Sequence, residues 1–463
     1  MVSESRVFSG KAWFSTMEQP VTITSLTLFI TVVLSTLTLA VPRKYILLPF
    51  VIGACWVPAD QCVIIVGLHF YVLQILVLAG ILRLWIRSEI VSIRWNRFDR
   101  LVLAWALVGT AVYTLQWMSF GALLLRCGRL LEWLGLYWIF RQSLRSWRDI
   151  GFVHIALGVC AVAMLPFVVV EWRNGSNPFT SLGRVTTDWR EGAYRCAATF
   201  PHAIMMGLFW ATVVPLFIGF ARQKRCAWLL WPAVASCTFM IWVTASSTPV
   251  LTFAGALAIV LVYSWRRNTP RVAWGVLFLL IGLHFVMKAP VWSLLSRVSV
   301  VAGSTGWHRY HLIDQAIGHF FEWVLIGTRS TGHWGYGLQD VTNQYILEGV
   351  RGGFVTCVLF CVLIFLSART FLRVSLTCRD RSESYLAWCA FATVIAHAIS
   401  FLGVSYFGQI TLIWYLLLAA AGLLYEKSLE NIPPTKRVAV SAKPRREGYG
   451  GASQPREEAW SLT

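Results

Sequence analysis

Two arginines stand where they could hold an anion. Arg195 lies in "YRCAATFPH", just ahead of an apolar run, and Arg309 opens "WHRYHLIDQAIGHFFEWVLIG". Pro201 suits the first turn of a helix, which places Arg195 at a helix mouth. A guanidinium offers a planar fork of N–H donors, so two of them held at a membrane surface make a site for phosphate or pyrophosphate. The competing reading is that both are solvated loop arginines, like Arg173, Arg184, Arg190, Arg297 and Arg329 around them. A second charged group, Arg126, Arg129 and Glu132 in "GALLLRCGRLLEWLGLYWIF", steps by three along one helical run. Steps of three put these residues on one face. Ionisable groups at membrane depth are costly and turn inward, so this face is either a polar wall beneath a cavity or an ion pair tying helices together. The third group is "DVTNQYILEGVRGG", where Asn343, Tyr345, Glu348 and Arg351 fall on or beside the first turn of a helix. Glu348 there suits the helix dipole and can pair with Arg351 at i,i+3, while Gly349, Gly352 and Gly353 permit close approach to a neighbour or ligand. The readings are an active-site rim or a polar interfacial anchor. His202 follows Pro201 directly and joins the substrate-binding candidates. His311 and His319 read as structural or interfacial.

Long apolar elements must position these groups. Only 13% of the 463 residues are charged and 57% are hydrophobic, with mean hydropathy +0.63. Soluble domains run near 25% charged, so most of this chain is expected in lipid. A bilayer core needs about 20 apolar residues per helix. Hydropathy predicts spans near 21–41, 45–58, 62–82, 101–118, 121–140, 150–171, 201–220, 226–244, 249–264, 271–287, 346–367, 385–404 and 409–425. The expected fold is an all-α polytopic bundle of 12 or 13 transmembrane helices over residues 1–426. Outer loops are expected at 172–200 and 288–345. The second carries an amphipathic helix with Tyr310, Ile313, Ile317, Phe320 and Val324 on its apolar face.

Short loops alternate between arginine-rich (Arg83 to Arg100, Arg141 to Arg148, Arg369 to Arg381) and bare of Lys and Arg, near Ala59, Ser119, Ser247 and Tyr406. The positive-inside rule puts the first set in the cytoplasm, and most of the +19 net charge is then topology, not a nucleic-acid patch. Residues 427–463 read as a disordered cytoplasmic tail. Val21–Val41 is too long for the apolar core of a cleavable signal. The 11 cysteines lack a C-x-x-C pair and read as buried packing thiols, and many of the 24 tryptophans fall at span ends as an interfacial belt. There is no P-loop, H-E-x-x-H or D-x-D pair, so no metal or nucleotide cofactor is expected.

Three blocks in order, "YRCAATFPHAIMMGLFWATVVPLF", "TASSTPVLTFAGALAIVLV" and "HRYHLIDQAIGHFFEWVLIGTRSTGHWGYG" with "TNQYILEGVRGG", resemble the O-antigen ligase and O-antigen polymerase superfamily of bacterial envelope enzymes. The likeness covers roughly 190–370. It implies an enzyme of the plasma (inner) membrane with its site facing the periplasm or outside, acting on glycan carried by undecaprenyl pyrophosphate. It also implies a chain-length regulator and a flippase as partners. Arg195 and Arg309 would then hold pyrophosphate as its bond to the sugar breaks. Where the ligases of that family have His before Asn, this chain has Thr342 before Asn343, and threonine is no base near neutral pH. His333, Asp340 and Glu348 are the candidates to replace it. The departure favours a polysaccharide polymerase over a ligase. The reading from another class, a transporter or flippase, lacks the repeat symmetry expected of it, and apart from Glu132, the main deep acid, the polar residues lie in the outer loops.

Overall fold

The computed structural model describes residues 21–65, 68–190, 192–224, 226–297 and 306–430. The tail expected after residue 430 lies outside them. About 74% of the chain is helical, so the fold is an all-α bundle. In chain order the helices are α1 (Ser25–Ala40), α2 (Leu48–Trp56), α3 (Val72–Ile86), α4 (Arg97–Trp117), α5 (Phe120–Ser143), α6 (Trp147–Asn174), α7 (Ala203–Arg222) and α8 (Ala227–Val243). They continue as α9 (Ser247–Leu261), α10 (Thr269–Val286), α11 (Leu294–Arg297), α12 (Gly306–Gly318), α13 (Phe320–Trp323), α14 (Gln344–Thr377), α15 (Arg381–Phe401) and α16 (Ile410–Glu430). Among the described residues seven helices are long and apolar enough to cross a membrane, and four more are apolar but shorter.

Polar residues set the helix ends. Asn96 accepts the N–H groups of Phe98 and Asp99 at the start of α4, while Asp99 accepts the N–H of Asn96 in return. That reciprocal box satisfies donors that would otherwise face lipid. Asn343 caps α14 by accepting Ile346 N–H, and Asp380 caps α15 by accepting Ser382 N–H.

The bundle has two recognisable ends. At one, which we term the loop end, the long connections converge: Thr24 N–H donates to Gln61 Oε1 (3.0 Å), and Gln409 Nε2 donates to the carbonyls of Val57 (3.1 Å) and Thr199 (2.8 Å). At the other, the tail end, α16 finishes beside α5, and Asn96 Nδ2 reaches the carbonyl of Gly422. α7 is the central helix, packed by α8, α9 and α15 and almost wholly buried. α10 is its opposite, with no buried residue along its length.

The expected span at 62–82 is corrected. Residues 61–71 form two antiparallel strands, β2 (Gln61–Ile65) and β3 (Leu68–Tyr71), with Cys62 opposite Tyr71, and α3 starts only at Val72. A short β1 (Val21–Thr22) pairs parallel to β2. The β-branched run Val63 to Val66 followed by Gly67 disfavours helix and suits a hairpin, which hydropathy alone does not register.

The amphipathic helix of the second loop exists as α12, but with a different face inward. Leu312 and Ala316 are buried with Trp323, Trp334, Leu338, Val341, Leu347 and Val350 in a small second core. Ile317, expected inside, is exposed, and Gly318 ends the helix before Phe320. This lobe is pinned to α14 where that helix breaks. Gly353 has φ +72, and Phe354 N–H donates to Val324 O (2.9 Å) instead of to its own helix. A Cβ on Gly353 would lie 2.3 Å from Leu325 O, so the break requires glycine.

Candidate functional site

The loop end is organised by Glu171, in the last turn of α6. Its side chain is fully buried and accepts the N–H groups of Ala197 and Ala198 (2.9 Å each), the hydroxyl of Thr187 (2.7 Å) and Nδ2 of Asn177 (3.2 Å). One carboxylate thus fixes the strand that carries Arg195. That strand, β5 (Ala193–Arg195), pairs with β4 (Asp188–Arg190) in a hairpin. Cys196 N–H adds a bond to Val243 O at the end of α8.

Arg195 is 6% exposed. Its Nε donates to Thr244 O (3.2 Å) and its Nη2 to Ser246 Oγ (2.7 Å), so it is clamped on the turn between α8 and α9. Arg309, on α12, reaches the adjoining turn. Its Nε donates to Gly403 O (3.3 Å), and a Cβ on Gly403 would sit 3.0 Å from Thr248 and 3.3 Å from Arg309 Nε. The two sequence-predicted arginines are therefore held on adjoining turns, one at the start of α9 and one at Gly403, which packs against Thr248 of α9. The side chain of a third, Arg190 on β4, makes no hydrogen bond or ion pair among the described residues and repels both.

Burial, reinforced by Arg190, pushes both the Arg195 and the Arg309 guanidinium below their ordinary range. Among the described residues neither has a carboxylate within ion-pair distance. Cations held this way are stabilised by an incoming anion, which removes the repulsion and fills the empty donors. His202 completes the group: its Nδ1 accepts Ile204 N–H (3.0 Å) and its Nε2 lies 3.9 Å from Asp188. Burial, then Arg195, hold the imidazole down to about 4, so at neutral pH it is uncharged and offers one N–H.

A second site lies next to the first along the chain. Asn343 Nδ2 donates to Leu402 O (3.1 Å), and Gln344 Oε1 accepts Tyr406 N–H (2.7 Å), which seats the start of α14 on the 402–406 turn beside Gly403. Below Gln344 is a cavity of about 50 Å³ lined by Trp105, Arg126, Trp133, Glu348, Arg351 and Thr356 among others. Glu348 accepts Trp105 Nε1 (3.0 Å) and Gln344 Nε2 (2.8 Å). Arg126 is 6% exposed, and its guanidinium lies 3.9 Å from the centre of the Tyr113 ring.

Other candidates are placed elsewhere. Arg129 and Glu132 pair with each other at 3.6 Å, and Glu132 also accepts Gln74 Nε2 (3.4 Å) and the Thr411 hydroxyl (3.4 Å). They face α3 and α16, whereas Arg126 faces α4 and α14. Each step of three rotates about −60° on a helix of 3.6 residues per turn, so six residues carry Glu132 well away from Arg126. Trp133, seven residues on, is the true facial partner of Arg126. Asn343 is spent on capping, and Tyr345 donates its hydroxyl to Ala398 O (3.0 Å) with its ring against Phe360 and Phe401.

His333 binds Glu322 Oε2 (2.8 Å) and lies near His319 and Trp334, contacts that do not extend to Arg195, Arg309 or Glu348. Asp340 is the base candidate nearest to Arg309's helix, since His308 approaches the Asp340 carbonyl (3.4 Å), and burial raises its carboxyl above the usual range. Sequence reasoning passed over Glu171, Ser246, Gln344 and Trp105. Only Glu171 carried a signal, as a lone acid ending an apolar run.

Arginines in one cluster with spare donors, and a buried arginine in a neighbouring cavity, can bind a multiply charged anion and orient what is attached to it. No protein-family model matches the chain, and no curated protein matches it.

Proposed function

We propose that this protein is a membrane glycan polymerase: it lengthens a surface or exopolysaccharide by moving a growing chain from one polyprenyl pyrophosphate carrier to the sugar of another. In this reading the loop end is the extracytoplasmic face of a bacterial plasma membrane. Thirteen helices, α1 to α10 and α14 to α16, cross the bilayer, the short α2 and the charged α5 included. The supporting observation is that Arg195 and Arg309 are held on adjoining turns, with Arg190 near both and no carboxylate within ion-pair distance of either among the described residues.

An acceptor hydroxyl oxygen attacks the anomeric carbon of the donor sugar, and the bond from that carbon to the pyrophosphate oxygen breaks. The leaving pyrophosphate gains negative charge as this happens, and guanidiniums placed for it stabilise that charge most in the transition state. The hydroxyl proton passes to a nearby base, for which Asp340 and Glu348 are the candidates nearest to the arginines. No metal is required in this scheme, because pyrophosphate is already an activated leaving group.

The test is incubation of purified protein with a defined polyprenyl-pyrophosphate oligosaccharide. A ladder of products supports a polymerase, and a single transfer to a lipid or protein acceptor supports a ligase instead. No transfer with either acceptor, or full activity in both Arg195→Ala and Arg309→Ala, removes the proposal.

A further inference from the structure

We propose that the cavity between α4, α5 and α14 receives the carboxylate of an acidic sugar in the transferred glycan. The identity of the ligand as a sugar rests on the polymerase reading; the anion site does not.

The charges in the cavity do not cancel. Arg126 and Arg351 face it with one acid, Glu348, whose oxygens accept from Trp105 and Gln344. Neither arginine forms an ion pair with it within 4.0 Å, and Arg126 Nε is buried without a hydrogen-bond partner. The face of Tyr113 beside Arg126 compensates only in part, since a cation–π contact is weaker than the penalty for burying a charge. One positive charge is left over, and Arg126, which carries it, is buried.

Size narrows the ligand. A water needs roughly 10–15 Å³ of such space, so about 50 Å³ holds three or four heavy atoms. A carboxylate fits and a pyranose ring does not, so the anion must hang from a body that stays at the rim, beside Gln344 and Tyr406. A planar carboxylate also matches the guanidinium fork. The walls add dryness: the indoles of Trp105 and Trp133 stack at 5.6 Å and 15°. The rim joins the first arginine cluster through Asn343, Leu402 and Gly403, so one lipid-linked molecule can present its pyrophosphate to one group and its carboxylate to the other.

Saturation-transfer NMR on the full chain in nanodiscs, with glucuronate, glucose and acetate at equal concentration, tests this. Expected is a glucuronate signal at least fivefold above that of glucose and of acetate. It should be lost in Arg126→Gln and weakened in Arg126→Lys, which keeps the charge but not the fork. Equal signals from glucose and glucuronate in the unmodified protein, which need no variant, overturn the proposal. So does an equal signal from acetate, which would make this a plain anion site, and so does a glucuronate signal that survives Arg126→Gln. A paired transfer assay separates the two claims. A uronate-bearing donor should exceed its carboxyl-reduced counterpart at least tenfold in kcat/KM. Equal turnover of both sinks the cavity assignment and leaves the polymerase standing. Glucuronate binding without transfer of either donor sinks the polymerase and leaves the cavity its ligand.

Discussion

The two ends of the bundle treat buried arginines in opposite ways. At the tail end, Arg83 holds Glu89 through Nε (2.9 Å) and Nη2 (3.0 Å), and Arg141 bridges Asp99 and Glu426 at 2.9 Å each. Tyr137 adds a 2.5 Å bond to Asp99. At the loop end Arg195, Arg309 and Arg126 are held by carbonyls, a hydroxyl and an aromatic face, with no carboxylate in ion-pair distance among the described residues. A guanidinium paired inside the fold serves the fold. One buried at a cost without its natural partner is set for a partner from outside.

Substitutions should break this contrast in graded fashion. Asp99→Ala leaves Arg141 buried beside an emptied site, and losing one partner of a buried pair costs about 3–5 kcal/mol. A large fall in thermal midpoint and in protease resistance of the detergent-solubilised protein is expected. A midpoint within a degree or two of the parent would dissolve the distinction between the ends.

Arg195→Ala and Arg309→Ala should do the reverse, lowering glycan transfer by about 10²–10³, equivalent to roughly 2.7–4 kcal/mol, while the midpoint barely moves. Lysine at either position should rescue poorly, because it loses the fork. Next comes Gly353→Ala, which forces a side chain into φ +72 against Leu325 O. A loss of about 1–3 kcal/mol is expected, read as a lower midpoint and faster proteolysis within 320–353.

The smallest effect is a pH dependence. His202 titrates near 6.5 in an unfolded chain and about 4 in the fold. Its neutral form therefore contributes stability that is full above pH 6.5 and lost as pH falls toward 4. His202→Gln should flatten the midpoint-versus-pH curve between those values, and an unchanged slope would remove His202 from the cluster's electrostatics.

How much of this was legible beforehand varies by residue. Arg195 and Arg309 stood out because each adjoins a helix start that the sequence announces, and the fold sets them on adjoining turns. Glu348 and Arg351 were set at the mouth of α14, yet Arg126, which lines the same cavity, lies 222 and 225 positions away, respectively, in numbering. Asn343 and Tyr345 read as site residues but serve as cap and packing, because a local motif does not say which way a side chain turns once the 402–406 segment lies across it. The span at 62–82 failed for a different reason, since hydropathy counts apolar residues and ignores that β-branched ones prefer strands.

Composition and local periodicity, which act over a few residues, are enough to make this chain a bundle of apolar helices and to set cationic groups at particular helix ends. Which guanidiniums meet a carboxylate and which do not depends on the packed fold. Arg141 finds Glu426 from 285 positions away, while Arg126 finds a cavity, and no local pattern distinguishes the two. Pairing depends on how helices are rotated and shifted against one another, and that is settled by the packing of whole faces rather than by any one residue's neighbours.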